Sequence, residues 1–329
     1  MSRPAVVVIG RNEGVRLARC LDAIEGAGAV VYVDSGSSDG SPALARRRGA
    51  SVVELDPAQP FTAARARNAG LDRALELQPG AALVQFLDGD CELLPGWLEA
   101  GARELKAGSR VAVACGEVRE RERERSIYNR LCDLEWRAAP GPALACGGNA
   151  LVRVEAFRQA GGFAPDLIAG EEPELCLRLR RLGWGVVRVA VVMVLHDADM
   201  TRFGQWWRRA VRAGWAYAEG AALHGAGPER HWVRESRSIL FWGLAVPGSA
   251  LLLAWPTGGL SLLLLAGWAA LLGRIYLRAV RAGDPPRDAA LLACFTVLAK
   301  LPQAVGQLRF LLARALGRRR RLVDWRVTP

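Results

Sequence analysis

The chain has 329 residues, 51% of them hydrophobic and 23% charged, a composition that excludes a disordered or collagen-like protein. The length allows about two domains of roughly 150 residues each. Residues 274–329 carry most of the net charge of +11, with 12 Lys and Arg against three Asp. A basic segment attracts polyanions. However, no zinc-ligand spacing, helix-turn-helix pattern or aromatic RNA-binding signature accompanies it, so no nucleic-acid partner is expected.

The cysteines and the N-terminal sequence indicate the cellular compartment. The seven cysteines are odd in number and scattered, and no two form a C-x-x-C pair. This pattern suits a reducing compartment and excludes a disulfide framework or a zinc site. The apolar run near the N-terminus spans only six residues, which is too short for a signal peptide. We therefore expect the N-terminal part to stay in the cytoplasm.

Strand-like and helix-like patterns alternate along the first 90 residues. Short β-branched apolar runs predict strands, and apolar residues at helical spacing predict helices. The predicted strands are residues 5–10, 29–33, 51–55 and 83–87, and the predicted helices are residues 15–24, 41–48 and 63–77. This alternation predicts a parallel α/β sheet, in which ligands bind at the carboxyl ends of the strands.

Polar and acidic residues follow the predicted strands at that edge. Asn12 and Glu13 follow the first strand, and Asp34 ends the second within the segment DSGSSDGS at 34–41. Such residues are also common in plain turns and helix caps, which is the alternative explanation for this segment. No G-x-G-x-x-G motif follows the first strand, so a dinucleotide site is not expected.

Asp88 and Asp90 follow the fourth predicted strand in the sequence Asp-Gly-Asp. Two carboxylates at this spacing can share a divalent cation, and hard oxygen ligands suit Mg²⁺ or Mn²⁺. The remaining ligands of such an ion usually come from water and substrate phosphates. A plain Asp-Gly turn is the alternative.

Seven motifs in order resemble those of bacterial family-2 glycosyltransferases with a GT-A fold. They are Asn12-Glu13 and the segments 33–41 (VDSGSSDGS), 66–70 (ARNAG), 86–90 (FLDGD), 146–149 (CGGN), 161–163 (GGF) and 170–180 (GEEPELCLRLR). The resemblance covers about residues 5–200. It implies an α/β catalytic domain at residues 1–200, with a mostly parallel, Rossmann-like sheet flanked by helices.

The resemblance also implies roles for single residues in binding a UDP- or GDP-linked sugar donor. Asp34 would contact the nucleobase, and Asp39 would support the nucleotide. Asp90 would hold an Mg²⁺ or Mn²⁺ ion that bridges the diphosphate, with Asp88 and His196 as further metal ligands. For His196, a hydrogen-bonded structural role is the alternative. The complete set implied to bind the nucleotide sugar is Asn12, Glu13, Asp34, Asp39, Arg67, Asp88 and Gly148.

Enzymes similar to this chain are inverting, and a carboxylate removes the proton of an acceptor hydroxyl as it attacks the anomeric carbon. The family usually has Glu-Asp at this position and uses the Asp, whereas this chain has Glu171 and Glu172. By position Glu172 would be the base, with Glu171 as the alternative. Pro173 is typical of a first helical residue, which predicts Glu172 as the N-cap. Acidic residues that only complement the helix dipole are the other explanation.

Two segments outside these motifs are rich in charge. Residues 119–125 alternate in sign as RERERER, which predicts a solvated loop or helix face. Residues 201–237 interleave aromatic residues with arginines, a pattern typical of amphipathic juxtamembrane helices in the headgroup layer. An aromatic core helix is the alternative for this second segment.

The last segment, residues 238–329, is predicted to attach to a membrane. The nearly uncharged stretch 239–273 is too long for one helix across a ~30 Å hydrocarbon core. Because the sequence WPTGG interrupts it, we predict a transmembrane hairpin of residues 239–255 and 260–277, with a re-entrant arrangement as the alternative. Residues 288–316 predict an interfacial amphipathic helix, and residues 318–321 a contact with anionic lipids.

The sequence as a whole predicts a membrane-bound, metal-dependent inverting glycosyltransferase of the hexosyl type. Its acceptor would be a hydroxyl of a lipid-linked or polysaccharide molecule, and it would lie at a bacterial inner membrane with the catalytic domain in the cytoplasm. One alternative is a sugar nucleotidyltransferase, but the loop GRNEG at 10–14 lacks the lysine expected of one. Another is a membrane-anchored sugar-binding scaffold without activity, which the Glu171-Glu172 departure suggests.

Overall fold

The computed structural model describes residues 3–24 and 27–317, so the predicted lipid contact of residues 318–321 lies outside the described residues. The chain divides into two compact units. The first comprises Met1–Glu122 and Trp136–Asp199, and the second comprises Arg123–Glu135 and Met200–Pro329. The predicted boundaries at residues 200 and 237 stay predictions.

The elements follow one another as strands and helices in the first unit and as helices in the second. The strands are β1 (Ala5–Gly10), β2 (Val30–Asp34), β3 (Ser51–Glu54), β4 (Leu83–Asp88), β5 (Cys91–Leu93), β6 (Val111–Glu120), β7 (Gly141–Ala143), β8 (Ala150–Arg153) and β9 (Gly185–His196). The helices are α1 (Val15–Asp22), α2 (Ser41–Arg47), α3 (Ala63–Leu77), α4 (Trp97–Ala107), α5 (Ile127–Trp136), α6 (Val154–Gln159), α7 (Glu171–Arg181), α8 (Phe203–His224), α9 (Val233–Leu240), α10 (Val246–Leu252), α11 (Ala266–Arg281), α12 (Pro286–Leu298) and α13 (Lys300–Ala315).

Within the described residues, the nine strands form one mixed sheet in the order β3-β2-β1-β4-β8-β6-β9-β5, and β7 pairs with β9. The part β3-β2-β1-β4 is parallel, as is the pair β6 and β9. The predicted α/β sheet flanked by helices is therefore confirmed. The three valines of β1 are fully buried, as expected for a strand covered on both faces.

Helix α3 packs close against the parallel strands because of one glycine. A Cβ atom at Gly70 would lie 2.3 Å from Cγ1 of Val7 and 2.9 Å from Cγ2 of Val33. Only glycine leaves room for this approach. The helix begins after Thr62, whose hydroxyl accepts a hydrogen bond from the amide of Arg65, a regular N-cap arrangement. The cap and the close packing fix the first turns of α3 beside the carboxyl ends of the strands.

The second unit is helical. A Cβ atom at Gly214 in α8 would lie 2.0 Å from the carbonyl oxygen of Gln303 in α13, and one at Gly306 would lie 2.0 Å from that of Val211. These glycines let the two helix backbones touch. The buried carboxylate of Asp288 in α12 accepts hydrogen bonds of 2.6 Å from Arg123 and from Arg130.

Two described stretches are long and apolar enough to cross a membrane, Leu260–Arg281 and Pro286–Ala315. The first matches the predicted second leg of the hairpin. The segment 239–255, predicted as the first leg, contains α10 and a π-helical turn at Phe241–Ala245. It is not among the two described stretches that are long and apolar enough to cross a membrane. The second stretch covers residues predicted as an interfacial helix. Pro302 does not interrupt it, because it is the third residue of α13, where no intrahelical donor is needed.

Candidate active site

Two of the predicted acids lie on either side of the end of β1. In the sheet register, Asp34 of β2 pairs with Gly10 and Asp88 of β4 pairs with Ile9. Both acids are the last residues of their strands. The expected grouping of polar residues at the carboxyl edge of the parallel strands is therefore present.

Arg67 brings three carboxylates together at this edge. Its side chain is only 2% exposed. Its Nη2 donates a 2.9 Å hydrogen bond to Oδ1 of Asp88, and its Nη1 donates one of 2.8 Å to Oε1 of Glu171. The same Nη1 lies 2.9 Å from Oε1 of Glu172. The guanidinium also lies 5.5 Å from the ring centre of Phe163, a cation–π distance.

This placement changes the view of Arg67 that the sequence suggested. The resemblance puts Arg67 near the nucleotide, but its buried guanidinium binds carboxylates of the protein itself. It therefore connects the end of β4 to the start of α7. The buried guanidinium offsets the free-energy cost of removing these three carboxylates from water, which would be higher without it.

Helix α7 begins two residues earlier than predicted. Its first residue is Glu171, and the N-cap is Gly170 with a φ of +85°, so the prediction of Glu172 as N-cap is wrong. The physical reason is that Gly170 adopts a left-handed conformation that other residues rarely adopt. Pro173 is therefore the third helical residue, still within the first turn that tolerates proline.

The two glutamates differ in environment. The side chain of Glu171 is 4% exposed and that of Glu172 is 14% exposed. Burial, followed by repulsion from Glu171, raises the pKa of Glu172 to about 7, against the attraction of Arg67. Glu172 is thus a carboxyl group that exchanges its proton near neutral pH.

Gly148 lies directly over the Asp88–Arg67 pair. A Cβ atom at this position would be 2.4 Å from Oδ2 of Asp88 and 2.6 Å from Nη2 of Arg67. The next residue, Asn149, accepts a 2.9 Å hydrogen bond from the amide of Asp88 through its Oδ1. The CGGN segment therefore holds Asp88 in place through Asn149, and position 148 must be glycine because a larger residue would collide with the pair.

Asp34 is held by its own loop. Its carboxylate accepts hydrogen bonds from the amides of Gly36 and Ser37 at 2.9 and 2.8 Å and from the hydroxyl of Tyr32 at 3.0 Å. These contacts define the turn after β2. The predicted contact of Asp34 with a nucleobase stays a prediction.

Asn12 and Asp39 join the loop after β1 to the loop after β2. Oδ1 of Asn12 accepts a 2.7 Å hydrogen bond from the amide of Ser38. Asp39 accepts from the amide of Gly14 at 2.9 Å and from the hydroxyl of Ser41 at 2.6 Å. Burial opposes the charged form of Asp39, but these hydrogen bonds outweigh it and lower its pKa.

Glu13 packs between the end of β1 and the Asp-Gly-Asp turn after β4. A Cβ atom at Gly10 would be 2.9 Å from its Cγ, and one at Gly89 would be 3.1 Å from it. Its carboxylate is buried and lies 3.0 Å from Nη2 of Arg16. The side chain therefore packs against the Asp-Gly-Asp turn, and glycine on either side leaves room for it.

Asp90 faces His196 across neighbouring strands. Oδ2 of Asp90 lies 3.6 Å from Nε2 of His196, and Cys91 pairs with His196 in the antiparallel register of β5 and β9. Potential ligand atoms of Asp90, Cys91 and His196 all lie within 4.8 Å of one another. In the described part of the chain, this group brings together two of the three predicted metal ligands, whereas the carboxylate of Asp88 binds Arg67.

The donor set of this group fits a hard or borderline divalent cation. Burial, with repulsion from Asp90, raises the pKa of the Cys91 thiol well above its usual value, which disfavours the thiolate form that binds metals. Its sulfur lies 3.6 Å from Oδ1 of Asp90 and 3.3 Å from Nδ2 of Asn149. What remains is a carboxylate oxygen and an imidazole nitrogen, a combination that suits Mn²⁺ better than a soft metal.

Two residues of this region were not anticipated from the sequence. Cys91 gave no signal beyond following Asp90. Glu120 lies in the alternating run 119–125, which was predicted to be solvated; that prediction is wrong for Glu120, because β6 extends to this residue and buries it. A prediction that β6 continues to residue 120 would have identified Glu120 as a strand residue, since it is the tenth residue of β6.

The chain is similar to known glycosyltransferases. Residues 5–161 match the family described as Glycosyl transferase family 2. The glycosyltransferase AglE of Haloferax volcanii is 26% identical over 226 residues, which cover 64% of this chain and 71% of AglE.

Two solved structures share the fold over most of the chain. The mannosyltransferase PcManGT from Pyrobaculum calidifontis, in complex with GDP-Man and Mn²⁺, has a TM-score of 0.61 at 22% identity and covers 94% of this chain and 88% of its own. TarS 1–349 of S. aureus, in complex with UDP-GlcNAc, has a TM-score of 0.50 at 16% identity and covers 96% and 92%. The chain therefore carries a glycosyl transferase family 2 domain built on a GT-A-like α/β core.

Proposed function

We propose that this chain is a metal-dependent inverting glycosyltransferase that moves a hexosyl-type sugar from a UDP- or GDP-linked donor to an acceptor hydroxyl at a membrane. The observation that carries the proposal is the convergence of Asp88, Glu171 and Glu172 on the buried guanidinium of Arg67. Asp90, two residues after Asp88, faces His196. The ligands of PcManGT and of TarS, a GDP sugar with Mn²⁺ and a UDP sugar, support this donor class.

Asp90 and His196 would hold the divalent ion. Mg²⁺ prefers an all-oxygen environment, whereas the observed set pairs one carboxylate with one imidazole, so Mn²⁺ is the better match. When bound, the ion supplies charge neutralisation for the diphosphate leaving group. Asp88 is the third proposed ligand; its side chain is 31% exposed and would face the donor while Arg67 holds its Oδ1.

Glu172 would be the general base. A carboxylate with a pKa of about 7 is largely ionised slightly above neutral pH, yet it binds a proton far better than an ordinary glutamate. It is more exposed than Glu171, which gives it the better access to an acceptor hydroxyl. Arg67 orients Glu172, and Glu171 raises the proton affinity of its neighbour by repulsion.

The two joined loops after β1 and β2 would form the nucleotide end of the donor site. Asp34 and Asp39 would lie at the base and the nucleotide, while Asn12 and Glu13 would line the same end. Gly148 would line the donor site beside Asp88, where a larger residue would collide with the Asp88–Arg67 pair. The Arg67 side chain contributes through the carboxylates it holds.

The second unit would attach the enzyme to a membrane. Leu260–Arg281 and Pro286–Ala315 have the length and composition of membrane spans. An acceptor that is lipid-linked or part of a growing polysaccharide would then be presented at the membrane surface, with the donor in the cytoplasm. Inner-membrane attachment of a bacterial cell would fit this arrangement.

A transfer assay with full-length protein in detergent tests the proposal. UDP- and GDP-sugars are supplied with Mn²⁺ and a lipid-linked acceptor mixture, and the anomeric configuration of the product is determined by NMR. We expect an inverted product, and we expect Glu172→Gln to reduce the transfer rate at least 100-fold. The control is Glu155→Gln, which changes an exposed glutamate in the first turn of α6 and should leave the rate unchanged. Retention of configuration or full activity of Glu172→Gln would overturn the proposal. Pyrophosphate release would instead indicate a nucleotidyltransferase.

A further inference from the structure

A buried carboxylate supports His196 on the side away from Asp90. Glu120, the last residue of β6, pairs with His196 in the parallel register of β6 and β9. Its Oε2 lies 3.4 Å from Nδ1 of His196, and its side chain is completely buried. Three neighbouring strands therefore bring Glu120, His196 and Cys91 into one row, in the strand order β6-β9-β5 that ends the sheet, and Asp90 directly precedes Cys91.

The carboxylate of Glu120 is itself held in place by backbone groups. The amide of Ala198 donates to both of its oxygens, at 3.3 and 3.2 Å. The amide of Glu122 donates to Oε1 at 3.3 Å. The acid thus connects the end of β6 to the residues that follow β9, and its position does not depend on His196 alone.

Both ring nitrogens of His196 and one face of its ring contact other side chains. Nδ1 faces Glu120 and Nε2 faces Asp90. The indole of Trp136 lies edge-on to the ring at a centre distance of 4.5 Å. A neutral imidazole carries one proton, and the partner of one nitrogen decides whether the other presents a lone pair.

We propose that Glu120 is a positioning residue for His196: its carboxylate accepts a hydrogen bond from Nδ1–H, which leaves the Nε2 lone pair directed toward Asp90. The value of this arrangement as a metal site rests on the proposed function. A carboxylate behind a ligating histidine fixes the ring and increases the donor strength of its far nitrogen, and losing such a partner weakens metal binding about 10–100-fold.

Substitution by glutamine separates this role from a bracing role. Glu120→Gln keeps the size of the side chain and an oxygen that can accept from Ala198 and from His196, but it removes the negative charge. A residue that only braces the strand end tolerates this change. A residue that strengthens the Nε2 donor through its charge does not.

The first measurement is the Mn²⁺ affinity of the full chain in detergent, read from the electron paramagnetic resonance signal of free Mn²⁺. We expect Glu120→Gln to weaken binding about tenfold or more, with a melting temperature without metal close to that of the wild type. The matched control is Glu117→Gln on the same strand, whose side chain is 39% exposed and pairs with Arg119; it should bind Mn²⁺ as the wild type does. Equal affinity in Glu120→Gln and the wild type, with binding lost in His196→Ala, would overturn the inference.

The second measurement needs no metal. The chain has only three histidines, so ¹⁵N-histidine labelling gives few signals, and His196→Asn identifies those of His196. In the neutral ring we expect the proton on Nδ1, and in Glu120→Leu we expect it on Nε2, facing Asp90. A proton on Nε2 in the wild type would refute the role of Glu120. The expected tautomer in a wild type that binds no Mn²⁺ would support the role and reject the proposed metal site.

Discussion

The guanidinium of Arg67 lies 2.9 Å from the carboxylate of Glu172, so helix α3 supplies the counter-charge for an acid at the start of helix α7. The same guanidinium binds Asp88 at the end of β4. Catalytic-domain elements that are far apart in sequence thus meet at one buried cation. Its removal should affect both folding and the arrangement of the proposed base.

Arg67→Met would leave three carboxylates near one another without a cation. Breaking a buried ion pair in this way costs about 3–5 kcal/mol, which corresponds to a fall in melting temperature of roughly 10 °C for a unit of this size. Differential scanning fluorimetry measures it. Arg73→Met in the same helix, where the arginine is exposed and pairs with Glu76, should change the melting temperature little. Similar small changes in both variants would contradict the role given to Arg67.

Glu172→Gln should stabilise the protein at alkaline pH. The pKa of Glu172 is about 7 when folded, against an ordinary value of 4.5. Between these values the folded protein keeps a proton that the unfolded chain has released, so wild-type stability falls as pH rises through this window and is level above it. We expect the variant to be more stable by about 1–3 kcal/mol at pH 8, with the difference closing near pH 4.5. Parallel melting profiles of the two proteins from pH 4.5 to 8 would show that Glu172 has no raised pKa.

Gly148→Ala should disturb the Asp88–Arg67 pair. The added methyl group would lie within 2.6 Å of both side chains, and overpacking of this kind costs about 1–3 kcal/mol. We expect weaker donor binding, measured by isothermal titration calorimetry with UDP- and GDP-sugars, together with a lower melting temperature. Gly147→Ala is the neighbouring control, because a Cβ atom there meets no atom within 4 Å. Equal donor affinity in both variants would refute the close approach at Gly148.

Leu263→Arg should weaken membrane attachment. Leu263 is an exposed residue near the start of the apolar stretch Leu260–Arg281, where an arginine costs less than the roughly 2.5–3.5 kcal/mol of the helix centre. We expect less protein to float with lipid vesicles in a density gradient. Leu144→Arg, an equally exposed leucine of the first unit, should float as the wild type does. Loss of flotation in both variants, or in neither, would contradict membrane attachment through this stretch.

The parts of the site that depend on local sequence were predictable. The strands before Asp34 and Asp88 are short, mostly apolar runs, and a strand of this kind can be located without knowing its neighbours. Helix α3 has the predicted bounds 63–77. For the same reason the acids at the strand ends could be assigned to one edge before the sheet order was known.

The parts that depend on strand register or on special backbone geometry were not predictable. Glu120 and His196 are 76 residues apart and meet only because β6 and β9 are parallel neighbours. Short strands such as β5 and β7, with three residues each, carry too little pattern to detect. The start of α7 depends on the left-handed Gly170, whereas Pro173, three residues later, favoured a later start.

The joint effect of Mn²⁺ and nucleotide on the melting temperature of the full chain tests the central claim most directly. If Asp90 and His196 hold a cation that the donor diphosphate shares, Mn²⁺ with UDP or GDP should raise the melting temperature more than the two ligands do separately. Asp90→Ala should abolish this excess, whereas Glu172→Gln should keep it because the proposed base does not bind the metal. An excess that persists in Asp90→Ala, or that never appears with either nucleotide, would contradict the account.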